Sequence, residues 1–297
     1  MWLAFAFLSA VLLGFYDVCK KHSLRDNAVI PILFLNTLFC SLIFLPLAFQ
    51  TPFGGWETQR YILLKACIVL SSWLLGYIGI KHLPITIVGP INATRPVLVL
   101  IGALLIFGER LNLWQWAGVL LAILSFFLLS RSGKKEGIDF KHNRWIICTV
   151  GAAILGALSG LYDKYLMASE IDGGLGLPRL TVQCYYNFYQ AIMMGAMLLL
   201  WTTDNSQRTT DLRNGSPFQW RWSILLISIF LSLADYVYFY SLSLDGALIS
   251  VVSMVRRSSV LVSFALGALL FHEKNLRSKA IDLALVLLSM VLLWLGQ

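Results

Sequence analysis

The chain has 297 residues, of which 58% are hydrophobic and 13% charged, with a mean hydropathy of +0.76. A soluble domain carries roughly a quarter charged residues, so these values exclude a soluble globular protein and point to a multi-span membrane protein. The net charge of +8 lies mostly in short segments between apolar runs, which argues against nucleic acid as a partner and for the anionic cytoplasmic leaflet.

A span needs about 20 apolar residues to cross a hydrocarbon core about 30 Å thick. On that rule the chain holds ten helices, at 2–19, 29–49, 61–81, 84–107, 112–130, 145–167, 179–201, 220–240, 246–271 and 277–296. The first run has no basic leader and no small-x-small cleavage site, and is expected to be a permanent span. Turn chemistry marks several boundaries: Thr51-Pro52-Phe53-Gly54-Gly55, Asp172-Gly173-Gly174 and Asn214-Gly215-Ser216-Pro217. The turns near Pro84 and Asp245 carry the weakest signals. The five cysteines all fall within the expected spans, with no metal spacing and no disulfide framework.

Two echoes divide the chain. Gly14-Phe15-Tyr16-Asp17 returns as Gly160-Leu161-Tyr162-Asp163, and Gly102-Ala103-Leu104-Leu105 leading to Glu109 returns as Gly267-Ala268-Leu269-Leu270 leading to Glu273. The expected fold is therefore an all-α polytopic membrane protein, with ten transmembrane helices in two five-helix repeats. The repeats cover 1–131 and 145–297, joined by a basic linker at 132–144. Five is odd, so the second repeat enters the membrane from the opposite side and the topology is inverted. Such inverted halves characterise secondary transporters.

Alternate loops differ sharply in basic charge. One side collects fifteen Lys and Arg, including Lys20, Lys21, Lys81, the linker and Lys279, whereas the other holds Arg60, Arg110 and Arg179. The positive-inside rule places the rich side in the cytoplasm and both termini outside.

Five basic residues remain inside the spans: Lys65, Arg95, Lys164, Arg256 and Arg257. The acids to set against them are Asp17, Asp163, Asp235 and Asp282. A charge at mid-bilayer costs several kcal/mol unless paired or hydrated, so such residues face the interior. Lys65, Lys164 and Asp282 are expected near span ends, in structural roles. Asp235 and Arg256 flank the turn at Asp245 at similar distances, about 15 Å along each helix, so antiparallel neighbours present opposite charges at one depth. A structural salt bridge and a substrate site are both open readings there. Arg257 points about 100° away from Arg256, towards a different partner.

Arg95 sits in Asn92-Ala93-Thr94-Arg95-Pro96, where the proline removes a backbone N–H and loosens the helix beside the charge. If Arg95 and Arg256 face one cavity, it favours a carboxylate or phosphate. Asp17 and Asp163, each preceded by a tyrosine, are candidate proton-coupling acids, because a buried carboxylate can bind and release a proton. The structural alternative is an acid paired with Lys20 or Lys21. Trp73 and Tyr77 lie deep enough to line a cavity. Glu109 and Glu273 read as helix-end caps, and the glycines of helices four, six and nine suit close packing. Enzyme signatures are missing: there is no phosphate loop, zinc pair or nucleophile elbow, and His22 with Asp26 is the nearest polar pair.

Together with Gly108-Glu109-Arg110-Leu111 and its echo His272-Glu273-Lys274, the ten-span inverted plan resembles the EamA-type members of the drug/metabolite transporter superfamily over essentially the whole chain. The resemblance implies alternating-access export or exchange of a small polar solute, driven by protons or counter-substrate, in the plasma (bacterial inner) membrane, by a monomer or homodimer. It implies no cofactor and no metal. Family solutes range from amino acids to drugs and nucleotide sugars. Many members have an acidic residue before the helix-four proline, where this chain has Arg95, and Arg256-Arg257 is likewise more basic than usual. Both departures favour an anionic or zwitterionic solute, such as an amino acid or organic acid. Family members are usually drawn with cytoplasmic termini, opposite to the charge count. The rival readings are a membrane enzyme acting on lipid-linked substrates and a non-transporting scaffold.

Overall fold

A computed structural model describes residues 2–107, 112–134, 140, 142–167, 174–203, 217–243, 255–271 and 276–295. They form helices throughout, with no strand among the described residues. In chain order these are α1 (Trp2–Leu24), α2 (Val29–Ala48), α3 (Gly55–His82), α4 (Ile85–Ala93), α5 (Arg95–Phe107), α6 (Leu113–Lys134), α7 (Arg144–Met167), α8 (Arg179–Thr203), α9 (Trp222–Ser243), α10 (Ser259–Phe271) and α11 (Leu276–Leu295). Four of the expected spans are long and apolar enough to cross a membrane by length and composition: Trp2–Leu24, Val29–Ala48, Gly55–His82 and Arg144–Asp163. Shorter apolar stretches lie at Ile85–Val99, Leu113–Leu129 and Trp222–Tyr238.

Polarity is distributed inside out. Ser9, Asn36, Gln59, Ser125, Thr149, Gln190 and Ser228 are buried, whereas Leu199, Ile192 and Leu269 are exposed at 68%, 67% and 72%. A water-soluble bundle would bury such leucines and isoleucines; a lipid-facing surface leaves them outside and gathers polar groups between helices.

Four helix pairs carry the packing: α1 on α9, α3 on α7, α2 on α8, and α6 on α11. Each is joined by a serine hydroxyl donating to a carbonyl across the pair. The bonds are Ser9 to Ala234 at 2.8 Å, Ser72 to Ala152 at 2.8 Å, Ser41 to Asn187 at 2.9 Å and Ser125 to Asp282 at 2.7 Å. Small residues let the helices approach, as expected for Gly102, Gly151 and Gly267. A Cβ on Gly102 would meet Leu161 Cδ1 at 2.5 Å, and one on Gly267 would collide with Ile85.

The fourth expected helix, 84–107, is two helices. Pro96 has no N–H to give the Asn92 carbonyl, and the chain turns at Thr94, whose hydroxyl donates to the Ile91 carbonyl at 2.7 Å. Within the ninth expected helix, residues 255–257 are helical and Ser258 interrupts the run before α10. There the Ser258 hydroxyl donates to the Val255 carbonyl at 2.6 Å, without a proline.

Several expected boundaries move. Helix α1 continues through His22 to Leu24, so Lys20 and Lys21 are helical and not loop residues. Helix α3 begins at Gly55, which places Lys65 ten residues inside it, not near its end. Lys279 is fully buried within α11, where its Nζ donates to Thr86 Oγ1 at 2.9 Å, so it too leaves the loop inventory. Asp282 is buried at 2% exposure. The basic excess on that side survives these changes. The motifs at 108–111 and 272–274, the turn at Asp245, Asp172-Gly173, Asn214–Ser216 and the side chain of Lys164 lie outside the described residues.

Candidate functional site

Charged side chains from α1, α3, α5, α7, α9, α11 and the helical residues 255–257 enter the interior of the bundle. Near the shared end of α1 and α3, Asp17 accepts from Lys20 Nζ at 2.7 Å, one helical turn away. The same ammonium lies 4.3 Å from the Tyr16 ring centre and 5.5 Å from that of Tyr77. Tyr77 is 1% exposed, and its hydroxyl lies beside that of Tyr16. Beside it, Lys21 Nζ donates to the carbonyls of Ile80 and Leu83, both at 2.6 Å. A cation on the last carbonyls of α3 satisfies orphan acceptors at the negative end of the helix dipole.

Twelve residues earlier on α3, roughly 18 Å away along the axis, Lys65 forms a salt bridge with Asp163 of α7. Its Nζ also lies 5.1 Å from the Tyr186 ring centre. The two aspartates of the repeated Gly-x-Tyr-Asp motif are thus both engaged by lysines, at separated levels of the bundle. Trp73, between these levels, is half-buried and packs against the core clusters on both sides.

Two helix interruptions supply the remaining cations. Arg95 opens α5, and its Nη2 donates to Asn92 Oδ1 at 3.1 Å, while its buried Nε has no partner. Its guanidinium lies flat on Gly156 of α7, where a Cβ would stand 2.8 Å from Cζ. On the other interruption, Arg256 forms a salt bridge with Asp235 of α9, and its Cζ lies 4.3 Å from the Tyr238 ring centre. Gln183 of α8 donates to the other Asp235 oxygen at 3.4 Å. Arg257, expected to find a partner of its own, makes no salt bridge among the described residues. It lies near enough to Arg95, Arg256 and Asp17 to interact with each electrostatically.

A bundle of this form can hold a small charged solute where two helices break, because broken helices expose backbone dipoles beside arginines. Comparison with known proteins names the kind of bundle. The family model of the EamA-like transporter family matches residues 1–131. Residues 1–131 are similar to EamA-like transporters. A protein named only as an uncharacterized transporter, from Archaeoglobus fulgidus, is 28% identical over 134 residues. That match covers 43% of this chain and 47% of the relative, so it spans less than half of the relative's length. A solved crystal structure superposes on 99% of this chain and 98% of its own, with a TM-score of 0.61 at 12% identity. At that identity the likeness concerns the fold alone.

The EamA-like segment contributes Asp17, Lys20, Lys65, Trp73, Tyr77, Asn92 and Arg95 to the cluster. Sequence reasoning met Lys20 only as a structural partner for the acids, read Gly156 only as a packing glycine, and passed over Gln183. Lys20 carried a local signal, its i,i+3 spacing from Asp17. Gly156 and Gln183 carried none, because each acts on a residue far away in the chain.

Proposed function

We propose that the protein is a secondary transporter that moves a small anionic or zwitterionic metabolite, such as an amino acid or organic acid, across the plasma membrane by alternating access. The reading is a transporter and not an enzyme. The observation that carries it is the placing of Arg95, Arg256 and Arg257 at two helix interruptions, with Asp235 of α9 bound to Arg256, inside an apolar bundle whose N-terminal segment is EamA-like. The two-repeat division, 1–131 and 145–297, belongs to the same proposal. It is supported by the matching helix interruptions at Thr94 and Ser258 and by the serine bonds that join α1 to α9 and α3 to α7.

Asn92, Trp73 and Tyr77 complete the proposed solute contacts. Asp17 and Asp163 are the proposed proton carriers, and either must release its lysine before a proton takes that place. Export or exchange driven by protons through these two acids is part of the same proposal.

The test is flux into vesicles reconstituted with the purified chain. Saturable, pH-gradient-dependent uptake of a carboxylated or phosphorylated solute is expected, with Arg95→Ala lowering it at least about a hundredfold while leaving expression and elution profile unchanged. Unchanged uptake in Arg95→Ala removes that residue from the site. Flux of neutral or cationic solutes alone would make the arginines structural, and no flux of any class would favour a scaffold or an enzyme.

A further inference from the structure

Asp17, Asp163 and Asp235 each hold a cation, namely Lys20, Lys65 and Arg256. Asp282 of α11 differs. It is 2% exposed, its Oδ2 is buried without a hydrogen-bond partner, and among the described residues its carboxylate makes no ion pair. Its backbone carbonyl, not its carboxylate, accepts from the Ser125 hydroxyl of α6 at 2.7 Å. The elements packed on α11 bring little charge to it. Over 113–129, α6 has no charged or titratable side chain, α4 and α10 have none, and α5 has only Arg95, at its first position. On α11 itself the buried charge is Lys279, three residues earlier, whose Nζ donates to Thr86 Oγ1 of α4 at 2.9 Å.

A buried carboxylate with an unbonded oxygen is relieved by gaining a cation or a proton. A metal ion takes several oxygen ligands, and the Lys279 ammonium, on a residue about 4.5 Å away along the axis, opposes one. A proton needs only the one oxygen. Position adds leverage. Leu283, the next residue, shares an apolar cluster with Ala93 of α4 and Val260 of α10. Ala93 directly precedes the interruption at Thr94, and Val260 lies two residues beyond that at Ser258. Helix α11 thus packs against both interruptions, and its Lys279 is bonded to the helix that ends at the first.

We propose that Asp282 is a proton-binding site and that its charge governs the hold of α11 on α4. A proton from the aqueous phase joins Oδ2, forming one O–H bond and taking the side chain from anionic to neutral, and Lys279 stays on Thr86. Return of that proton to water restores the carboxylate. Lys279, one turn away, then swings to it and leaves Thr86, which frees the end of α4 beside Thr94. As a coupling site for solute movement, Asp282 rests on the transporter reading above; as a proton site it does not.

The test uses the full chain, purified in lipid nanodiscs without solute, so its result stands apart from the transporter reading. Infrared difference spectra between alkaline and acidic buffer are expected to show the carbonyl stretch of a protonated carboxylic acid, lost in Asp282→Asn and displaced in Asp282→Glu. In parallel, hydrogen exchange of the α4 amides, corrected for the intrinsic effect of pH, is expected to be about fivefold faster in alkaline buffer. That difference is expected to vanish in Asp282→Asn and to persist in Asp282→Glu. Should Asp282→Asn fail to fold, the displaced band in Asp282→Glu and the loss of the exchange difference in Thr86→Val carry the test. A band that neither Asp282 variant moves overturns the proton site. A band that moves while α4 exchanges equally at both pH values overturns the hold on α4. Solute flux in vesicles with neither effect leaves the transporter reading standing without Asp282.

Discussion

Lys65 keeps its ammonium inside the bundle, with 7% of the side chain exposed, only because Asp163 and the face of Tyr186 meet it there. Removing one partner of such a buried pair leaves a stranded charge, at a cost of about 3–5 kcal/mol. Asp163→Asn is therefore expected to lower the thermal unfolding midpoint of the purified protein markedly. Replacing both partners, with Lys65→Met and Asp163→Leu, is expected to recover most of that loss, because no charge is left to desolvate. An unchanged midpoint in the single variant would mean that water reaches Lys65 and shields it. Legibility at this scale follows distance along the chain. Asp17 and Lys20 stand three residues apart, so helical spacing alone brings them together. Lys65 and Asp163 are 98 residues apart, and no local pattern foretells their meeting. Lys65 was expected near a span end because the onset of α3 at Gly55 lies in a stretch rich in polar residues, where hydropathy alone hides helix.

At the scale of the element, the two interruptions differ in cause although they look alike. At Thr94 a hydroxyl bond and the missing N–H of Pro96 act together, whereas at Ser258 the hydroxyl acts without a proline. One hydrogen bond contributes about 1 kcal/mol, or about fivefold in the equilibrium between an interrupted and a continuous helix. Ser258→Ala is therefore expected to reduce transport several-fold, whereas Thr94→Val changes it less than about twofold, since Pro96 still denies a helical bond. Initial rates of solute uptake in vesicles compare the two. Equal losses would show that the hydroxyls contact the solute, and that helix geometry is not their role. A loosened helix around Pro96 is readable from the residue type. The break at Ser258 is not, because a serine inside an apolar run is as often a packing residue. The same holds for Lys21, a surface lysine by composition that instead closes the end of α3 through the Ile80 and Leu83 carbonyls.

At the scale of the whole molecule, sidedness depends on the basic loops. Lys20 and Lys279 prove to be interior, yet the linker at 132–144 and its neighbours keep the asymmetry in sequence, and on the positive-inside rule we propose a cytoplasmic linker. A single cysteine introduced into the linker, in a background where Cys19, Cys40, Cys67, Cys148 and Cys184 are replaced, is expected to resist membrane-impermeant reagent on intact cells. It should react once the membrane is opened. Labelling on intact cells would invert the topology. The membrane character, the helical class and the EamA-like resemblance were determined by sequence alone, because long apolar runs and proline act locally and leave a mark wherever they occur. The tertiary structure decided which charges neutralise one another. Pairing depends on helices remote in sequence coming within a few ångströms, so only the packed bundle shows that Lys65 meets Asp163 and that Arg256 meets Asp235.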